Sequence, residues 1–387
     1  MRALVLIVVA FASTASAQLI AYDDFNGPLV DGGGWSYDAH RPGVVELRVV
    51  DGGRGDPNDS FLRVVDDGGM TGMTQRTQAY LALVLAADRG TRWLRHWFRE
   101  ASVTTPGSVA NLTISGIQID SPIATAAEVK FWPMQNDLQL QCFTGAGGQV
   151  LPMGRFVLDG GWHLAELAAQ GVGTDAGICA LVVDGTVVAT SGVDWSGRTF
   201  TQAILGEPWA ADDFAGELDF DAFAVTVQAP PSVWRISVPP VVTVGQCAPL
   251  KVEMFDVLGG LRPALGTTRG TMFFNGVGEL FTDSACTTAG SQFRLDAGET
   301  TVEMGLLPRV PGNKCLQVEG TDYRRVTQCL TVETPDAGSA LDAGGSDGDA
   351  GVGARSGYGV GCSCGSEPAI ALLLALALIR RMTMRVS

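Results

Sequence analysis

Chemistry in this 387-residue chain is concentrated in one short stretch, Glu217-Leu218-Asp219-Phe220-Asp221. On a strand, residues i, i+2 and i+4 point to one face. Glu217, Asp219 and Asp221 would then line up on that face, with Leu218 and Phe220 turned to a core. Paired carboxylates of this kind suit general acid/base work. They also suit Ca²⁺, a hard cation with oxygen ligands, held by Asp219 and Asp221. The plainer reading is an acidic surface edge. Other chemistry has little support. His40, His96 and His163 lie far apart and lack metal-ligand spacing, and no Gly-x-Ser-x-Gly elbow occurs in the form a nucleophile needs. The residues call for no cofactor, with Ca²⁺ as the alternative at the acidic strand.

The six tryptophans between residues 93 and 209 are the other candidates. Trp162 precedes an alternating strand and reads as core. Trp195 and Trp209 lie in loop-like, Gly- and Asp-bearing stretches, which makes them the ligand-binding candidates for stacking on a sugar ring.

These residues need a scaffold, and its pattern is β. Val45-Glu46-Leu47-Arg48-Val49 and Leu138-Gln139-Leu140-Gln141-Cys142 alternate apolar and polar, the mark of a strand with one buried face. Asp-Gly-Gly turns and an Asp184-Gly185 hairpin separate the candidates. A charged fraction of 17% and 50 glycines fit turn-rich sandwiches better than helical bundles. The predicted fold is all-β, a jelly-roll sandwich over 18–228 followed by an immunoglobulin-like sandwich over 229–334, with Gln228 to Ser232 as a stiff linker.

The ends read as export signals. Residues 1–17 carry Arg2, an apolar run and Ala15-Ser16-Ala17, as a secretory signal does. Residues 335–360 repeat Asp-Ala-Gly and predict a disordered stalk. Residues 361–387 hold Cys362 and Cys364, then an apolar run from Pro368 to Ile379 (a short C-terminal hydrophobic helix), then Arg380 and Arg381. The run is shorter than the ~20 residues of a spanning helix.

Eight cysteines fall in even numbers per segment, which in an exported chain reads as disulfides. Cys142 and Cys179 are alone in the first unit and pair with each other. In the second, Cys247–Cys286 with Cys315–Cys329 is favoured over a competing Cys247–Cys315 bond. The net charge of −15 argues against nucleic acid as a partner.

Several stretches resemble known families. Tyr22-Asp23-Asp24-Phe25, Gly161-Trp162-His163-Leu164-Ala165-Glu166-Leu167, the Val183-Asp184-Gly185 hairpin and Asp219 to Val225 resemble a laminin-G-like, concanavalin-type jelly roll. The Glu217–Asp221 strand resembles the Glu-x-Asp-x-Glu strand of laminarinase-type glycoside hydrolases, which implies a nucleophile and an acid/base there. It departs in ending on Asp221. Cys247, Asp256 to Gly259, Leu280 to Cys286 and Ala297-Gly298-Glu299 resemble bacterial immunoglobulin-like repeats. The tail resembles myxobacterial C-terminal sorting signals. That resemblance implies a sorting protease as partner, Cys362 or Cys364 as the processed or lipid-modified residue, and display on the outer envelope of a Gram-negative bacterium, with membrane contact through the C-terminus.

The functional expectation is a non-enzymatic, surface-displayed binding or adhesion protein that recognises a polysaccharide or another surface protein. The alternatives are a glycoside hydrolase-like enzyme using Glu217 and Asp221, and a structural envelope spacer.

Overall fold

The computed structural model describes residues 19–25, 35–40, 45–51, 60–67, 77–104, 111–120, 124–211, 215–320 and 325–335. The signal at 1–17, the stalk from residue 336 onward, and the tail with Cys362 and Cys364 lie outside the described residues.

Every regular element among them is a strand. In chain order the first eight are β1 (Leu19–Asp23), β2 (Trp35–His40), β3 (Val45–Asp51), β4 (Ser60–Asp67), β5 (Thr77–Val84), β6 (Gly90–Thr104), β7 (Leu112–Ile119) and β8 (Ala124–Trp132). Then come β9 (Asp137–Phe143), β10 (Gln149–Val150), β11 (Phe156–Val157), β12 (His163–Val172), β13 (Gly177–Val183), β14 (Thr186–Val193), β15 (Phe200–Ala211) and β16 (Ala215–Thr226). They form two eight-stranded sheets. Sheet I runs β14-β13-β12-β6-β16-β4-β3, with β1 on β16. Sheet II runs β10-β9-β8-β7-β15-β5-β2, with β11 on β9. All of their strand pairs are antiparallel.

Alternation explains the packing. Leu94, Phe98, Leu218 and Phe220 of sheet I meet Ile117, Val129, Phe131 and Leu140 of sheet II in one core, so the two sheets form a sandwich. The Asp184-Gly185 turn forms as its residue types predict. Val183 pairs with Thr186, and Asp184 and Gly185 take φ of 51° and 72°, the positive angles of a type I′ turn.

The remaining strands are β17 (Val233–Ser237), β18 (Val241–Thr243), β19 (Ala248–Phe255), β20 (Thr268–Phe274), β21 (Gly278–Phe281), β22 (Gln292–Leu295), β23 (Thr301–Pro308), β24 (Gly312–Gly320) and β25 (Val326–Glu333). They form a four-stranded sheet, β17-β19-β23-β21, and a five-stranded sheet, β18-β25-β24-β20-β22. β18 and β25 are parallel. A second core around Trp234, Val252, Met304 and Val318 lies between them.

Residues 229–232 are buried and do not form an exposed linker. Ala229 packs with Trp93, Ala168 and Ala180 on the outer face of sheet I, and Val257 joins them. Arg262 Nε donates to the Ala229 carbonyl at 3.2 Å. The apolar outer positions of sheet I have found cover, which holds the segment against the sheet.

Three disulfides close: Cys142–Cys179, Cys247–Cys286 and Cys315–Cys329. The first ties β9 of sheet II to β13 of sheet I. The second and third are the pairings favoured over Cys247–Cys315.

Candidate functional site

The three carboxylates on β16 have different fates. Asp219 is fully buried and lies between two arginines, with Arg63 Nε at 2.7 Å and Arg99 Nη2 at 2.5 Å. Glu217 is partly exposed and pairs with Arg63 at 2.7 Å. Asp221 is also buried, and its Oδ1 accepts from the Ala222 N–H at 2.6 Å. The strand's register shifts between Asp221 and Ala224, and Ala222 takes φ of 45°. A second shift, between Glu217 and Leu218, interrupts the ladder within the acidic stretch itself. Both oxygens of Asp219 accept from guanidinium donors, which is the wrong company for a cation such as Ca²⁺. Among the described residues no group of three His, Cys, Asp or Glu is placed to hold a metal ion.

The tryptophan expectation needs correcting at Trp195. Its ring is wholly buried, and Nε1 donates to the Phe143 carbonyl at 2.7 Å. A Cβ on Gly177 would come within 2.4 Å of that ring, so the side chain plugs the sandwich and offers no face to a sugar. The backbone of Trp209 belongs to β15, where a loop was expected.

The strongest polar constellation lies elsewhere, on the outer face of sheet II. Register defines it. Ala127, Val129 and Phe131 of β8 face the core, so Glu128, Lys130 and Trp132 between them face away from it. Directly opposed residues share a face. One rank therefore runs Gln139, Lys130, Thr113. The next runs Gln141, Glu128, Gly116, Ile204, Ala82. A third runs Thr125, Gln118, Gln202. Asp137 opposes Trp132 at one end.

These groups are knitted together. Lys130 Nζ is 2.8 Å from Glu128 Oε2 and also donates to the Thr113 hydroxyl. The Thr125 hydroxyl donates to Glu128 Oε1 at 3.0 Å. Gln202 donates to Gln118. Glu207 accepts from the Thr113 N–H. Gln139 donates to Asp137 at 2.9 Å, while Trp132 Nε1 has no partner among the described residues. Glu128, Lys130 and Gln118 are all buried. A buried ion pair is costly and tolerates little loss of its hydrogen bonds. Finding one on the face turned away from the apolar core marks that face as specialised. Gly116 sits in the middle rank beside Glu128. A Cβ there would meet Ile204 at 3.0 Å and the Ala127 carbonyl at 3.2 Å.

Three other buried groups titrate abnormally. His96 is fully buried between the sheets, with Nε2 2.8 Å from Ser115 Oγ; burial pulls its pKa down to about 4. His163 lies between Asp184 at 2.9 Å and Asp159 at 3.1 Å. Burial lowers its pKa, but the Asp184 hydrogen bond and the two aspartate charges more than offset this and raise it. Glu166 is pushed up to about 8 by burial, against the pull of Arg95.

The β16 carboxylates were conspicuous in the sequence because they are adjacent. The sheet II face was not, because its members are scattered over four strands. The signal that could have found it was the alternation of amides and charges with apolar residues on three successive strand candidates, with Lys130 as one of only three lysines in the chain.

No family model matches the sequence, and no curated protein does. Solved structures with a similar fold include an endo-β-1,4-glucuronan lyase from the fungus Trichoderma reesei. It is 14% identical, covers 55% of this chain and 96% of that one, and has a TM-score of 0.42. An alginate lyase from Pseudomonas aeruginosa is 13% identical over 49% of this chain and 87% of its own, at 0.33. Domain 4 of an extracellular arabinanase from Geobacillus stearothermophilus, in complex with arabinotriose, is 18% identical over 55% and 93%, at 0.35. This likeness is one of fold and carries no residue or substrate over to the chain. The expectation of a non-enzymatic chain is not upheld, since the structures similar in fold include polysaccharide lyases.

Proposed function

We propose that this chain is a carbohydrate-active protein that binds a polysaccharide across the outer face of sheet II and cleaves it with Lys130 and Glu128. One observation carries the reading: a buried Lys130–Glu128 pair at 2.8 Å, on the face away from the core, surrounded by Gln118, Gln139, Gln141 and Gln202. Side-chain amides donate and accept at once, which matches them to sugar hydroxyls. Trp132 closes one end with an unused N–H donor. Cleaving a glycosidic bond needs a proton for the leaving oxygen and a base for the attacking water or for a ring C–H. The Lys130 ammonium supplies the first and the Glu128 carboxylate the second. This places the reaction on sheet II and away from Glu217 and Asp221, which are engaged by Arg63 and by the backbone.

Export is part of the proposal. Three disulfides suit an oxidising compartment. The signal at 1–17 and the Cys362/Cys364 tail would deliver the folded sheets to the cell surface on the 335–360 stalk.

The test is incubation of the chain with a panel of neutral and uronate-containing polysaccharides. New reducing ends alone mean hydrolysis, and an ultraviolet-absorbing unsaturated end means elimination. Glu128→Gln and Lys130→Met should each lower turnover at least a hundredfold, in line with loss of a general acid or base, with binding largely kept. Wild-type protein that neither binds nor cleaves any member of the panel overturns the proposal, as do variants that cleave normally.

A further inference from the structure

The outer face of sheet I carries a second arrangement that the sheet II reading does not use. Register places Arg48 opposite Arg63, Arg63 opposite Asp219, and Asp219 opposite Arg99. One rank across β3, β4, β16 and β6 thus holds three arginines and a single aspartate, in a chain whose net charge is −15. These residues lie far apart in sequence, and only the strand order brings them together.

Asp219 acts as the shared base of this rank. It accepts from Arg63 Nε at 2.7 Å and Nη2 at 3.0 Å, and from Arg99 Nε at 3.0 Å and Nη2 at 2.5 Å. Arg63 spends its last nitrogen on Glu217. Arg99 does not: its Nη1 has no partner among the described residues, and its side chain is 29% exposed. An aromatic corner fixes its plane. The guanidinium lies 4.6 Å from the Trp162 ring centroid and 5.5 Å from that of Phe61, and the two rings meet edge-on at 5.6 Å. An arginine held by one carboxylate and two rings has lost its rotamer freedom before any ligand arrives, so a further anion binds at little entropic cost.

We propose that Arg99 is the anchor of an anion-binding strip on sheet I, which takes the carboxylate or sulfate groups of an acidic polysaccharide. Asp219 and Trp162 are its positioning residues. The strip stands on the opposite sheet from Lys130 and Glu128 and does not rest on their role. Its readout is binding alone, so a failure to detect cleavage leaves it intact.

Calorimetric titration of the full chain with an oligogalacturonate, a sulfated oligosaccharide and a neutral cello-oligosaccharide tests it, and the two acidic arms separate carboxylate from sulfate. At least one acidic ligand should bind, weakening as salt is raised. Arg99→Gln should lose about tenfold in that affinity, the size of one charge-assisted hydrogen bond. Arg99→Lys should recover only part of it, since an ammonium lacks the planar fork. Should Arg99→Gln fail to fold for want of a partner at Asp219, Trp162→Leu stands in. It leaves the ion pairs in place, frees the guanidinium to move, and should weaken acidic binding severalfold. Acidic oligosaccharides bound no better than the neutral one overturn the proposal. A folded Arg99→Gln or Trp162→Leu protein with wild-type affinity does so too.

Discussion

Glu166 and Arg95 stand directly opposite each other on β12 and β6. Both are buried, on the outer face of sheet I where an isolated sandwich would meet water. Ser232 and the Asp256 charge both act on the carboxyl, so the second set of sheets supplies part of this environment. Asp256 is itself paired with Arg262 at 2.7 Å. The outer face of sheet I is therefore largely committed to the junction at its β12 end.

A pH dependence follows from that burial. The folded pKa of Glu166 is raised to about 8 from the ordinary carboxyl value of 4.5. The unfolded chain loses this proton near pH 4.5, while the folded chain keeps it to about pH 8. Stability from this group is thus fully present below pH 4.5 and is lost progressively as pH rises towards 8. The total is of the order of a few kcal/mol. Urea unfolding at pH 5, 6.5 and 8 should show the decline in wild type. Glu166→Gln, which mimics the protonated form, should flatten it and be the more stable protein at pH 8. Parallel declines in the two proteins would place the titrating group elsewhere.

The disulfides should open in order of exposure. Cys142 and Cys179 are both fully buried, whereas Cys247 and Cys329 are exposed. Mild reductant followed by thiol labelling and peptide mapping should mark Cys247, Cys286, Cys315 and Cys329 first, and Cys142 and Cys179 only on unfolding. Replacing both Cys142 and Cys179 by serine removes a loop closure of 37 residues and should cost about 3–4 kcal/mol in the chain-entropy model, measurable as a lowered urea midpoint.

Trp195 should behave as a structural residue. Trp195→Phe loses the bond to the Phe143 carbonyl and should cost about 1–2 kcal/mol. Trp195→Ala should cost about 3–5 kcal/mol through the cavity it leaves. Neither should change polysaccharide affinity in protein that remains folded. A selective loss of binding with an unchanged melting temperature would return the ring to the ligand site.

Local structure was legible in the residues alone. Period-2 alternation in Leu138–Cys142 and in Val45–Val49, and the Asp184-Gly185 turn, act over a few residues and are legible without partners. The disulfide pairs were nearly as legible, because an even count within each segment leaves few choices. Tertiary structure alone decided the rest. Strand order placed Asp219 between Arg63 and Arg99 and turned a candidate catalytic carboxylate into an ion-pair centre. Sandwich closure drew Trp195 inward from a stretch that reads as a loop. Register assembled Thr113, Gln118, Glu128, Lys130 and Gln202 on one face, although nothing in their local spacing links them. Hydrogen bonding along a strand is local, whereas which strands neighbour one another is settled by how two large apolar faces bury each other, and the candidate site inherits its membership from that choice.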